Sequence, residues 1–158
     1  IFGGSNSRRL MINRLLGAYR SARETNNGST WSYVFTHFTP SRPEEAGTAR
    51  DMNNLWAWHS SDLWYTFGSL DLNYPPVRDW QAYDYMLEDI ASDYWSNFMK
   101  TGNPNGDNLP VWPEADDSYA YMEIGDEVVG HTEFTELDEL IKAAVKPTIE
   151  EGYGITLK

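Results

Sequence analysis

Between Trp31 and Phe38 the chain alternates Trp31, Tyr33, Phe35 and His37 with Ser32, Val34, Thr36 and Phe38, which gives a strand with one strongly aromatic face and one mixed face. Such a strand must pair with neighbours, and few are on offer. The other strand candidates, Tyr119 to Ile124 and Glu127 to Thr132, flank Gly125-Asp126 and read as a hairpin. A lone strand and a hairpin set among helices make an incomplete sheet for a self-standing α/β domain. A helix-then-strand opening implies a sheet begun upstream of residue 1.

Three long helices are expected around these strands. Leu10 to Arg23 places Met11, Leu15, Ala18 and Ala22 on one face, with Ser5 or Ser7 as cap and Asn26-Asn27-Gly28 as stop. Asp79 to Thr101 carries Leu87, Ile90, Ala91, Tyr94, Trp95 and Phe98 on a broad apolar face, closed by Gly102. Thr135 to Lys146 places Leu137, Leu140, Ile141 and Ala144 on one face and ends at Pro147, with a fraying tail from Glu150. Pro40 to Asn54 reads as a long loop, Trp56 to Leu70 as an aromatic segment, and Pro75-Pro76 as a break. Residues 1–78 would then hold the last central strand and a histidine-bearing loop, and 79–158 a helix, the hairpin and the C-terminal helix.

Charge narrows the function classes. The 158 residues carry 24 acids against 12 Lys and Arg, a formal net charge of −12, which is the wrong sign for binding nucleic acid or an anionic membrane surface. There is no cysteine, so disulfides and thiolate metal sites are excluded within the chain. No apolar run reaches the roughly 18 residues of a membrane span. Asn27-Gly28-Ser29 fits a glycosylation sequon, a pattern common by chance. Ile1, with neither an initiating Met nor a leader pattern, reads as the start of a processed product, a trimmed chain or a fragment. Nothing points to a cofactor, and the compartment is open.

Three histidines could carry chemistry. His37 in the strand and His131 at the end of the hairpin read as structural. His59 lies among aromatics in Ala57-Trp58-His59-Ser60-Ser61-Asp62-Leu63-Trp64-Tyr65-Thr66-Phe67-Gly68. A histidine on a loop soon after a strand can project into a cleft while being held rigidly. Trp56, Trp58 and Trp64 either line an apolar pocket or anchor the loop; anchoring is the simpler reading. Glu44, Glu45 and Asp51 precede His59 as candidate orienting acids, while Glu114, Asp116 and Asp117 read as a solvated turn.

The segment Ala57-x-His59-x-x-Asp62-Leu63-x-Tyr65-x-Phe67-Gly68 resembles the histidine block of type B carboxylesterases, the family of cholinesterases and bacterial p-nitrobenzyl esterases. Trp31-Ser32-Tyr33-Val34-Phe35 is similar to the strand before that block. Tyr94-Trp95-Ser96-Asn97-Phe98-Met99-Lys100-Thr101-Gly102-Asn103-Pro104-Asn105 and Val111-Trp112-Pro113 are similar to later blocks, in the same order. The resemblance covers roughly residues 8–132. It implies an α/β chain, the C-terminal part of an α/β-hydrolase fold, with few strands, three long helices and an incomplete sheet.

It also implies that His59 is the triad base, accepting a serine proton and returning it to the leaving alcohol. Asp62 stands where the family has a supporting Glu. In this fold the order along the chain is Ser, then Asp or Glu, then His, so both partners should precede His59. Gly3-Gly4-Ser5-Asn6-Ser7 approaches Gly-x-Ser-x-Gly but has Ser7 in place of the final Gly, and Ser5 reads better as a helix cap. No nucleophile, metal ligand or cofactor-binding residue is therefore assigned.

The expected function is hydrolysis of small carboxylic esters through an acyl-serine by a parent protein whose N-terminal remainder partners this chain. The chain alone should be inactive and self-associate or rearrange through its open strand. The alternative is a non-catalytic interaction module on the same fold. A carbohydrate-binding sandwich would need many more strands.

Overall fold

The computed structural model describes residues 3–23, 28–72, 77–116 and 118–157, with side chains from Arg9 onward. The expected stop at Asn26-Asn27, the sequon's Asn27, the Pro75-Pro76 break and Asp117 lie outside those residues. The order of elements is α1 (Gly3–Ala22), β1 (Tyr33–Phe35), α2 (Met52–Leu55), α3 (Leu63–Thr66), α4 (Ala82–Thr101), β2 (Tyr121–Ile124), β3 (Val128–His131) and α5 (Glu136–Tyr153), with 3-10 turns at Pro43–Glu45 and Leu70–Leu72.

The strands form one sheet in the order β1-β2-β3. Met122 N–H donates to the Ser32 carbonyl and Thr36 N–H to the Ile124 carbonyl, so the numbering rises together and β1 runs parallel to β2. β2 and β3 are the expected hairpin, with Gly125 N–H on the Glu127 carbonyl. The first strand is shorter than the expected Trp31 to Phe38. It persists only opposite β2, and His37 lies beyond its end, turned to side-chain bonds.

Contacts divide the chain into two units. In the first (1–34, 111–123 and 129–158), α1 packs on α5 around Met11, Leu15, Ala18, Tyr119, Val145, Ile149 and Leu157. α1 starts at Gly3, so Ser5 and Ser7 lie within the helix rather than ahead of it; once residues 10–22 are helical, adding a turn is cheap. Arg14 is fully buried here, its Nε donating to the Tyr119 carbonyl at 2.6 Å and its guanidinium 4.1 Å from the centre of the Phe134 ring.

α5 departs from expectation in three ways. It begins on a capping box in which the Thr135 hydroxyl accepts from Asp138 N–H, but it runs through Pro147 to Tyr153. Its buried residues are Val145 and Ile149, whereas Leu137 and Leu140 are exposed. The residues after Glu150 are tied down, with Gly154 as a left-handed cap and buried Leu157 donating its N–H to Glu150. An internal proline costs about 3 kcal/mol. Burying Ile149 and Leu157 beyond it returns roughly 1.5–3 kcal/mol per side chain, enough to carry the helix onward.

In the second unit (35–110 and 124–128), α3 packs on α4, and Tyr65, Leu70, Leu87, Ala91 and Tyr94 are buried. α4 begins after Gln81 and ends at Gly102, whose φ of 78° is the left-handed cap that glycine favours. Leu87, Ala91 and Tyr94 of its expected face are buried; Phe98 is exposed. The supposed long loop Pro40 to Asn54 holds the Pro43–Glu45 turn and α2, and Asp51 caps α2 by accepting from Asn53 N–H.

Candidate active site

His59 lies in the turn between α2 and α3, where its side chain is exposed and makes no hydrogen bond or ion pair with any described residue. Backbone hydrogen bonds hold the turn that carries it. Ser61 N–H donates to the Trp58 carbonyl, Leu63 N–H to Ser60, and Thr66 N–H to Asp62 as α3 begins. Trp56 and Ser60 both take positive φ (54° and 72°), unusual for side-chain-bearing residues and of order 1–3 kcal/mol each in strain. Surrounding contacts must hold that geometry. Trp56 stacks on Phe38, and Trp58 donates its indole N–H to Thr39 Oγ1 at 3.1 Å. Trp58 meets Trp64 edge-on, and Trp64 meets Trp80. The three tryptophans near His59 therefore act as anchors of the turn.

Asp62 is the residue from which α3 starts; its backbone is in the right-handed helical region and its side chain does not cap the helix. The candidate acids before His59 are engaged elsewhere. Glu45 is buried, accepts from Arg42 N–H and pairs with Arg50 at 3.0 Å, and Glu44 pairs with Arg42. Asp51 accepts from Gly47 N–H as well as Asn53, and backbone hydrogen bonds hold its carboxyl below the usual range. Asp116 closes its own turn by accepting from Ser118. The Gly3 to Ser7 stretch is continuous helix, unlike the strand-to-helix elbow a serine nucleophile requires. Among the described residues no cluster could hold a metal ion, and no helix is long and apolar enough to cross a membrane.

Sequence reasoning missed the polar core behind this turn. Asp84, in the first turn of α4, is buried. Its Oδ1 accepts from Tyr65 OH at 2.6 Å and lies 3.0 Å from His37 Nε2, and its Oδ2 accepts from Gln81 N–H at 2.7 Å. His37 Nδ1 lies 2.7 Å from Asp126 Oδ1 on the hairpin turn. Burial works against the Asp84 carboxylate, but the His37 and Tyr65 hydrogen bonds outweigh it and hold its pKa below the usual range. Burial likewise opposes a charge on His37, and the bonds to Asp84 and Asp126 override it and raise its pKa. Tyr65 is pushed upward, first by burial and then by Asp84. One signal was available: Asp84 falls on the same helical stripe as Leu87, Ala91 and Tyr94, where an acid is out of place unless partnered.

Comparison with known proteins places the chain. The carboxylesterase family model matches residues 9–140, and the chain belongs to that family. Among curated relatives it is 32% identical over 98 residues to mouse carboxylesterase 1C, covering 61% of this chain and 16% of that protein. It is also 32% identical over 107 residues to mouse carboxylesterase 1D, covering 67% of this chain and 17% of that protein. The chain thus spans about a sixth of the length of these relatives. A solved esterase from Clostridium hathewayi, described as able to hydrolyse aliphatic aromatic polyesters, superposes with a TM-score of 0.57 at 21% identity, covering 91% of this chain and 30% of that one. The fold is accordingly α/β, of the α/β-hydrolase kind, with an incomplete three-stranded sheet.

Proposed function

We propose that this chain is the histidine-bearing part of a serine carboxylesterase, and that His59 is the general base and acid for cleaving carboxylic esters through an acyl-serine intermediate. The observation that carries the reading is His59 itself, exposed and unengaged on a turn whose backbone is fixed on both sides. A triad base must be free to meet a serine yet fixed enough to meet it in line. Asp62 ends that turn at the start of α3, its backbone carbonyl accepting from Thr66 N–H. The serine, its oxyanion donors and the orienting acid would come from the complementary part of the domain, the N-terminal remainder, and a small ester would bind where the parts meet. Exposed Phe67, Leu63 and Met86 suit burial against such a part, and in the isolated chain they would drive self-association.

A histidine without nucleophile or oxyanion hole retains almost nothing of triad catalysis. The purified chain should therefore hydrolyse p-nitrophenyl acetate no faster than free imidazole and take no label from a serine-directed fluorophosphonate. Turnover that disappears both in His59→Ala and after fluorophosphonate treatment would show a complete site in this chain and defeat the proposal. A non-catalytic interaction module on the same fold differs in one observable: its complementary part would contain no Gly-x-Ser-x-Gly.

A further inference from the structure

We infer that Tyr65, Asp84 and His37 form a positioning network for His59, in which the segment after β1 holds the C-terminal flank of the histidine turn through a shared buried carboxylate and the N-terminal flank through the Trp58–Thr39 bond. The inference rests on the reading of His59 as the general base. On the C-terminal flank, the turn 59–62 runs directly into α3, whose fully buried Tyr65 bonds Asp84 at 2.6 Å. On the N-terminal flank, Trp58 bonds Thr39. Thr39 and His37 belong to the same stretch leaving β1, and His37 meets the same Asp84 oxygen at 3.0 Å. The stretch 37–39 therefore grips the turn from both sides, while His59 makes none of the bonds that hold it.

The protonation state of His37 follows from this geometry. Both ring nitrogens face carboxylate oxygens, Asp84 on one side and Asp126 on the other. A carboxylate only accepts, so both nitrogens must donate, and the imidazolium is the form that satisfies the site. The groups facing His37 are Tyr65 from α3, Tyr83 and Asp84 from α4, and Asp126 from the hairpin turn; no cation is among them. When His37 loses a proton, a nitrogen lone pair faces a carboxylate oxygen and the clamp on one flank of the His59 turn loosens. His59 should feel that event although it does not touch His37.

The chain has three histidines, so each imidazole can be followed separately by NMR after assignment with single His→Gln variants. Followed from about pH 5 to 9, the His59 resonance should show, apart from its local response, a second, smaller inflection coinciding with that of His37. Tyr65→Phe keeps the ring and removes only the bond to Asp84, and it should abolish at least half of the second inflection. Asp126→Asn acts at an exposed side chain and removes one carboxylate from His37; it should lower the His37 midpoint and carry the second His59 inflection down with it. A single-step His59 curve overturns the inference, as does a second inflection that stays put while the His37 midpoint moves. A purely structural role for the network would lower Tm without that signature. Failure of the general-base reading would appear in ester turnover, which this titration does not use.

Discussion

Replacing Asp84 with Asn tests the polar core directly, because the substitution keeps shape and removes only charge and one acceptor. Three donors converge on the carboxylate: Tyr65 OH and His37 on Oδ1, and Gln81 N–H on Oδ2. An amide has one acceptor oxygen, so its NH2 must face a donor in either orientation. A buried donor left unsatisfied costs about 1–3 kcal/mol, and breaking a buried ion pair costs about 3–5 kcal/mol. The expected loss is therefore about 3–5 kcal/mol, or roughly 6–20 °C in Tm at about 2–4 °C per kcal/mol for a chain of this size.

The difference from wild type should also depend on pH. Because the folded pKa of His37 is raised, its contribution is complete below about 6.5 and is lost as pH rises through the higher folded value. Because that of Asp84 is lowered, its contribution is present above about 3.8 and is lost as pH falls through the lower folded value. Urea denaturation followed by circular dichroism should find the widest gap between about pH 4 and 6.5. A variant within about 1 kcal/mol of wild type at pH 5.5, or a gap that fails to narrow as pH leaves that window on either side, would refute the assignment of these bonds.

Two further substitutions probe the first unit. Pro147→Ala restores a helical N–H inside α5 and should raise Tm, by an amount worth up to about 3 kcal/mol less the added freedom of the unfolded chain; an unchanged or lower Tm would mean the ring is needed where it sits. Gly130→Ala in β3 places a methyl 2.6 Å from the Val111 carbonyl oxygen and 2.6 Å from Pro113 Cδ, neither on a flexible side chain. It should destabilise by about 1–3 kcal/mol in the same assay, and a neutral result would show that the 111–113 segment gives way easily.

The fold was legible wherever local chemistry and burial agree. Gly125-Asp126 marked the hairpin, and Leu87, Ala91 and Tyr94 marked the inner face of α4. The face of α5 was misread in part: Ile141 does pack on the core, but Leu137, Leu140 and Ala144 extend its stripe as plausibly as Val145 and Ile149, and only packing with Met11, Leu15 and Ala18 selects the latter pair. Pro147 reads as a terminator by propensity, but tertiary burial beyond it overrides that preference. His59 was found through its neighbours Asp62, Leu63, Tyr65 and Phe67, whereas Asp84 was passed over because acids on a helix are normally solvated. Its partners come from β1's exit and α3, and no spacing along the chain brings those together.

The general-base role of His59 is tested most directly by joining the chain to a complementary part of a carboxylesterase domain that carries Gly-x-Ser-x-Gly, and measuring kcat/KM on a p-nitrophenyl ester. The reconstituted enzyme should turn over, and His59→Ala should lower kcat by roughly 10⁴-fold or more while its complex and Tm stay intact. Turnover within about tenfold of the unsubstituted complex, a barrier change of only about 1.4 kcal/mol, would contradict the assignment.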